Sequence, residues 1–181
     1  IAVGVSGGKD SLTLLASLAN LRLFYPKRFE VIGISIDMGF EGADFSQVQH
    51  FCDELGVELH IIKTQISQVV FDARKEASPC SLCSKMRRGA LNDAADDLNC
   101  NKVALGHHKD DVIETFFMNI FFAGNISTFS PVTYLDRTEI TCIRPLIYTP
   151  EKEISAFAKR ENIPILPKLC KADGFTEREN V

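Results

Sequence analysis

The first twelve residues, Ile1-Ala-Val-Gly-Val-Ser-Gly-Gly-Lys-Asp-Ser-Leu12, decide the fold. An apolar run from Ile1 to Val5 meets two glycines, Gly7 and Gly8, and a helical apolar pattern then opens at Leu12 and continues through Leu14, Leu15 and Leu18. That order reads as a buried strand, a glycine turn and a helix start. A chain passing from strand to helix leaves backbone N–H groups unpaired at the positive end of the helix dipole, which suits an anion. Gly7 and Gly8 let the backbone approach such a ligand, Ser6 and Ser11 add hydroxyls, Asp10 sits at the helix start and Lys9 adds a full charge. A polyphosphate fits this set. The simpler alternative is a corner in which Asp10 or Ser11 only caps the helix. The stretch is not a Walker A loop: Val3 stands where the first glycine would be and Asp10 where the magnesium-binding hydroxyl would be, which disfavours the usual γ-phosphate chemistry.

Outward from this corner, strands and helices alternate. After a first helix over 10–24, Tyr25-Pro26-Lys27 breaks the pattern and Val31 to Ile36 reads as a second buried strand. The pattern continues with a helix over 45–55, a strand over 58–62, a mixed polar stretch, a helix over 84–98, a strand over 102–106 and a long apolar helix over 110–122. This predicts an α/β fold: a doubly wound, mostly parallel sheet with helices on both faces. A short strand pair is expected within 131–148. Thr149 is expected as cap, Pro150 at the first helical position and Glu151 in the first turn of a last helix. Ligands of such sheets sit at the carboxyl ends of the strands. Three motifs fall there: Ser6 to Ser11, Asp37-Met38-Gly39, and Gly106-His107-His108-Lys109-Asp110-Asp111. Their convergence predicts one composite site.

With 181 residues and 45% apolar content, the chain builds one substantial core, and a single domain over 1–181 is expected, continuing beyond both ends in the full protein. No apolar run reaches the ~18 to 20 residues of a membrane span and no signal peptide is seen, so a soluble, cytoplasmic protein without membrane contact is expected. The net charge of −4 argues against non-specific nucleic-acid binding but not against a local basic face. Lys85, Arg87 and Arg88 follow Cys83 within one helical turn, and Arg74, Lys75, Lys109, Arg144, Lys168 and Lys171 lie near the other motifs in sequence.

Six cysteines are too few and too scattered for a disulfide scaffold. Cys80 and Cys83 form a C-x-x-C pair, the spacing of zinc and iron–sulfur ligands, of redox pairs, or of two ordinary cysteines. Cys170, in a loop bounded by proline, is the most plausible third ligand, whereas Cys52, Cys100 and Cys142 read as packing residues. Three thiolates suit a four-iron cluster with one open iron better than a closed zinc site. Asp110 and Asp111 suit magnesium beside phosphates or activation of an acceptor group, or else capping of the helix they open. His107 and His108 read as backbone-orienting or substrate-facing.

S-G-G-K-D-S resembles the pyrophosphate loop of the N-type ATP pyrophosphatases. Joined in order by P-C-S-L-C-S-K-M-R-R-G, A-L-G-H-H-K-D-D, I-R-P-L and the late Cys170, it resembles the tRNA 2-thiocytidine synthetase group of PP-loop tRNA thiolases. The resemblance implies an adenine nucleotide alpha hydrolase-like fold. It implies ATP-dependent adenylation of the C2 oxygen of an anticodon-loop cytidine, position 32, and its replacement by sulfur, with AMP and pyrophosphate released. ATP, Mg²⁺ and a 4Fe-4S cluster on Cys80, Cys83 and Cys170 are the implied cofactors. The implied partners are tRNA and a sulfur donor such as a cysteine desulfurase or sulfide, with a homodimer as a candidate assembly. Asp111, Asp110, Arg87 and Lys9 are the implied catalytic set. Ser6, Gly7, Gly8, Lys9, Asp10, Ser11, Asp37, Gly106 and Arg144 are implied on the nucleotide, Arg87 and Arg144 toward phosphate or tRNA. Some relatives carry a second C-x-x-C around the late cysteine, and here Pro167 takes its earlier position. The competing readings are a uridine thiolase, another adenylating tRNA-modifying enzyme such as a lysidine synthase, and a non-catalytic ATP-binding module with structural zinc.

Overall fold

The computed structural model describes residues 1–73, 79–167, 169 and 170. Arg74, Lys75, Lys168 and Lys171 lie outside them. The chain order is β1 (Ala2–Gly4), α1 (Lys9–Leu21), β2 (Ile32–Asp37), α2 (Ser46–Glu54), β3 (Glu58–Lys63), a π-helical turn (Gln68–Ala73), α3 (Pro79–Asp97), β4 (Lys102–Ala104), α4 (Lys109–Ala123), β5 (Val132–Leu135), β6 (Ile140–Ile143) and α5 (Glu151–Arg160). The sheet runs β3-β2-β1-β4-β6-β5. All neighbours are parallel except β5, which closes the edge antiparallel to β6.

Period-two alternation sorts the strands between two cores. Val3, Val5 and Ala104 face a cluster with Leu12, Leu14, Leu15, Val48, Cys52 and Ala158, from α1, α2 and α5. Ala2, Ile34, Val103 and Ile140 face Leu91, Ala94 and Ala95 of α3. The expected helices on both faces are present. Cys52 and Cys142 are buried, and Cys100 packs against the second core, as their apolar settings predict.

Two boundaries differ in an informative way. The helix expected from residue 84 begins at Pro79, because proline suits a first helical turn, and this draws the C-x-x-C pair onto the helix. The last helix is capped one residue later than expected. Pro150 is its extended N-cap (φ −63°, ψ 144°) and Glu151 its first residue. Thr149 does not cap it: its N–H goes to the Leu146 carbonyl and its own carbonyl receives the Lys109 N–H.

Helix α4 buries none of its residues. Ile113, Phe117 and Phe121 recur at helical spacing on an exposed stripe, and the rings of Phe117 and Phe121 stack at 5.9 Å.

In the sheet order, the chain leaves β1 toward β2 and β3, then returns to place β4 on its other side. The crevice at the carboxyl ends of β1 and β4 is where such a sheet receives ligands.

Candidate active site

The loop after β1 is built to present backbone. Gly7 has φ +79°, and a Cβ there would lie 2.7 Å from the Leu166 side chain. The chain leading to Cys170 lies directly on this loop, with the Leu166 N–H bonded to the Gly7 carbonyl at 2.9 Å. Gly8 is the N-cap of α1 and no side chain caps it. The alternative of a corner capped by Asp10 or Ser11 is therefore not what forms. Ser11 is buried, and its hydroxyl donates to the Gly8 carbonyl at 2.9 Å and receives the Ser6 N–H at 3.2 Å. It shapes the loop, so Ser6, with its hydroxyl 3.1 Å from that of Ser11, is the better placed of the two toward a ligand.

The loop after β4 approaches to the limit of contact. A Cβ on Gly106 would sit 3.0 Å from the Asp10 and Ser11 backbone, so only glycine brings the two loops this close. Here the helix start is closed by its own side chains. His108 accepts the Asp111 N–H, and Asp111 accepts the His108 N–H at 2.9 Å, a reciprocal capping box. Asp110 instead reaches α5, where its Oδ2 accepts the Glu151 N–H at 2.7 Å. That bond holds the Asp110 carboxyl below its ordinary value. The buried His108 imidazole also lies 3.8 Å from Asp10 and 3.6 Å from Asp111. Of these three helix starts, α4 and α5 are served by carboxylates and α1 has no side-chain cap. Its N-terminal N–H groups are the ones free to take an anion.

Lys9 is paired on both sides. Its Nζ lies 2.7 Å from Glu151 and 3.0 Å from Asp10. Burial works to lower its pKa, but the two carboxylates outweigh burial and the net shift is upward.

Cys80 and Cys83 stand three apart on the first turns of α3 and so share one face of it. Cys80 is exposed, Cys83 and Cys170 are half-buried, and all three are free thiols. Burial pushes the Cys83 thiol up, and the charges of Cys170 and Cys80 push it further, while Arg87, one turn along, pulls it down. Cys80 and Cys170 therefore each lie within electrostatic reach of Cys83. Among the described residues, no group of three His, Cys, Asp or Glu side chains is placed to hold a single metal ion. Cys83 Sγ also touches the Met38 thioether at 3.6 Å. Met38 is fixed by the Ser67 N–H on its carbonyl at 2.8 Å, and Asp37 beside it accepts the Gly39 N–H at 2.9 Å.

These parts meet in two adjoining clefts. The larger, about 640 Å³, is lined by Ser6, Gly8, Lys9, Asp10, Asp37, Met38, Arg87 and Cys170. The smaller, about 300 Å³, is lined by Ser6, Ser11, Met38, Arg87, Gly106, His107 and Asp111. All three strand-end motifs thus reach one place, and Arg87 borders both clefts. Arg144 borders neither. Its guanidinium donates to the Ser130 carbonyl at 2.6 Å and to Thr133 at 3.2 Å, and lies over the Phe129 ring. Asp110 and Glu151 line a separate surface groove between α4 and α5. Three contributors were not legible as such: Met38 as neighbour of a cysteine, Leu166 as cover of the glycine loop, and Glu151 as partner of Lys9. Each acts across elements, and only the composition of the Asp37-Met38-Gly39 turn pointed toward one of them.

Comparison with known proteins agrees with this geometry. The PP-loop domain family matches residues 1–166. A tRNA-cytidine(32) 2-sulfurtransferase of Geotalea uraniireducens is 40% identical, over 99% of this chain and 71% of that protein. One of Pseudomonas putida is 39% identical, over the whole of this chain and 67% of that protein. Among solved structures, the U34-tRNA thiolase NcsA from Methanococcus maripaludis with its 4Fe-4S cluster superposes with a TM-score of 0.79 at 27% identity, over 99% of this chain and 61% of that one. The chain thus spans about seven tenths of the curated relative's length and about three fifths of the thiolase's. An open helix start behind a two-glycine loop, a cysteine pair one turn from an arginine, and this breadth of identity lead to one conclusion: the chain belongs to the PP-loop domain family, in the group of the tRNA-cytidine(32) 2-sulfurtransferases.

Proposed function

We infer that the protein thiolates tRNA at the expense of ATP, converting cytidine 32 of the anticodon loop to 2-thiocytidine. The observation that carries this reading is the shared cleft, in which the glycine loop and Cys170 line one cavity beside Arg87. A phosphate-binding loop alone names only nucleotide chemistry. A thiol in the same cleft adds a reason to hold sulfur beside an activated carbon.

In this reading the open N-terminus of α1, with Ser6, Gly7 and Gly8, takes the pyrophosphate end of ATP, leaving the α-phosphorus to the C2 oxygen of the base. Attack there breaks the α–β phosphoanhydride bond and releases pyrophosphate. A sulfur nucleophile then adds at C2, and AMP departs with the original oxygen. Arg87, between the clefts, offsets negative charge on the phosphates. Asp111 and Asp37 are the carboxylates at the cleft that suit Mg²⁺ or the base. Asp110, whose carboxyl accepts the Glu151 N–H, ties the start of α4 to that of α5. Arg144 orders the β5–β6 corner in this structure. Cys80, Cys83 and Cys170 are the residues that would hold a 4Fe-4S cluster: all three are free thiols, and Cys80 and Cys170 each lie within electrostatic reach of Cys83. Such a cluster, when bound, supplies an open iron on which sulfur can be held. A cysteine desulfurase or sulfide is the proposed source of that sulfur.

Among the described residues, no helix is long and apolar enough to cross a membrane, and a cytoplasmic setting with its tRNA is proposed. A homodimer is proposed through the exposed α4 stripe. Laid antiparallel about a twofold axis, two copies would set Phe117 against Phe117 and Ile113 against Phe121, a self-complementary match. The stripe with Phe122 and Ile126 offers on the order of 500 Å² per copy, close to the lower bound for a specific interface.

The direct test is anaerobic reconstitution of the full-length protein with iron and sulfide, followed by incubation with ATP, Mg²⁺ and tRNA. AMP, pyrophosphate and 2-thiocytidine in equal amounts are expected. Release of ADP, or thiolation of a uridine in place of cytidine, would overturn the assignment.

A further inference from the structure

Lys9 is the full positive charge of the glycine loop, yet its ammonium already has two anionic partners. Glu151 Oε1 lies 2.7 Å from Nζ and Asp10 Oδ1 lies 3.0 Å away. The two differ in kind. Asp10 follows Lys9 in the same first turn of α1 and stays with it wherever it moves. Glu151 comes from α5, and its backbone is pinned from the start of α4, by the bond of its N–H to Asp110 and by that of the Lys109 N–H to the Thr149 carbonyl at 3.0 Å. Its backbone is therefore fixed beside the loop, while its side chain is 47% exposed and can turn into water.

One ammonium between two carboxylates leaves a net negative charge at the place where the triphosphate is to arrive. For Lys9 to act on phosphate it must exchange a partner, and the partner able to leave is Glu151. We propose that Glu151 is a counter-ion latch on Lys9. It holds the ammonium at the wall of the cleft while no nucleotide is bound, and yields it to the phosphates on binding. This deepens the reading of the cleft as the nucleotide site and rests on it. The latch sets a cost that falls as the nucleotide carries less charge, so it discriminates against nucleotide lacking its divalent cation.

The test measures the Kd of α,β-methylene-ATP, whose α–β bond cannot be cleaved, by calorimetry on the full-length protein with Mg²⁺ and with EDTA. Glu151→Gln keeps the shape and the N–H to Asp110 while removing the charge. In EDTA it is expected to tighten binding about two- to five-fold, the range of a partly exposed ion pair, and to do so less with Mg²⁺. In a Lys9→Met background the same change is expected to lose most of its effect. Glu153→Gln, a carboxylate on the same helical turn and not on Lys9, is expected to leave the Kd unchanged. Weaker or unaltered binding by Glu151→Gln would overturn the latch, as would an equal gain without Lys9, which would be bulk electrostatics. Absence of any binding by the unaltered protein would instead overturn the nucleotide reading, and the latch with it.

Discussion

At Gly7 two constraints coincide, a φ of +79° and the Leu166 side chain 2.7 Å from any added Cβ. Gly7→Ala is expected to cost about 1 to 2 kcal/mol by thermal or urea unfolding, the sum of left-handed strain and a pushed loop. It should also weaken nucleotide binding at least about tenfold, since the same backbone faces the phosphates. Asp110 gives a pH signature. Its folded pKa is depressed below 3.8 chiefly by the Glu151 N–H, so the stability it contributes is present above that value and lost as pH falls through the lower folded one. Asp110→Asn should therefore be destabilising at neutral pH, with the difference from wild type closing on acidification below about pH 4. Thiol reactivity should follow burial: burial pushes Cys52 up to about 11, whereas Cys80 is exposed. In the metal-free protein, iodoacetamide followed by peptide mass mapping should modify Cys80 well before Cys52. At this scale the sequence told which residues gather at the site but not what each does there. Ser11 reads as a donor to ligand and is instead bonded to the Gly8 carbonyl, because a short hydroxyl in a first helical turn finds the backbone first. Lys9 reads as a free cation, and one of its two carboxylate partners lies more than a hundred residues away in α5.

Among the elements, α1 carries the core. Leu12, Leu14 and Leu15 are all fully buried. Leu14→Ala should cost about 2 to 5 kcal/mol in denaturant unfolding, the usual penalty for a cavity under a strand. Helix α4 is the opposite case, and Phe121→Asp on its exposed stripe should alter folding stability by no more than about 0.5 kcal/mol. Sedimentation should show that change shifting the full-length protein from dimer toward monomer, and an unchanged sedimentation coefficient would contradict the proposed interface. The strong helical period of α1 and the apolar strands were legible because local pattern and burial agree. The start of α3 was not, since Cys80-Ser81-Leu82-Cys83 carries no helical apolar period and reads as a loop. Pro79 was the available signal, a residue suited to a first turn. The partner of the first N–H of α5 was illegible for a different reason, being supplied by Asp110 from another element.

Across the whole molecule, the site follows from sheet order. Placing β4 beside β1 on the side away from β2 opens the crevice, and the close approach of Gly106 to Asp10 and Ser11 joins its two walls. That three motifs at three strand ends converge was legible from alternation alone, since a parallel sheet puts every strand end on one side. The arrival of Cys170 was less so, because the described residues after Ile163 form no helix or strand and are directed by contacts such as Leu166 on Gly7. The shared cleft is what points to thiolation rather than to nucleotide binding by itself. The measurement that tests it most directly is the nucleoside composition of bulk tRNA from a strain lacking this gene, complemented with the wild-type protein or with Cys83→Ala. Loss of 2-thiocytidine is expected, restored by the wild type and not by the variant. Undiminished 2-thiocytidine in the deletion strain, or full restoration by Cys83→Ala, would contradict it.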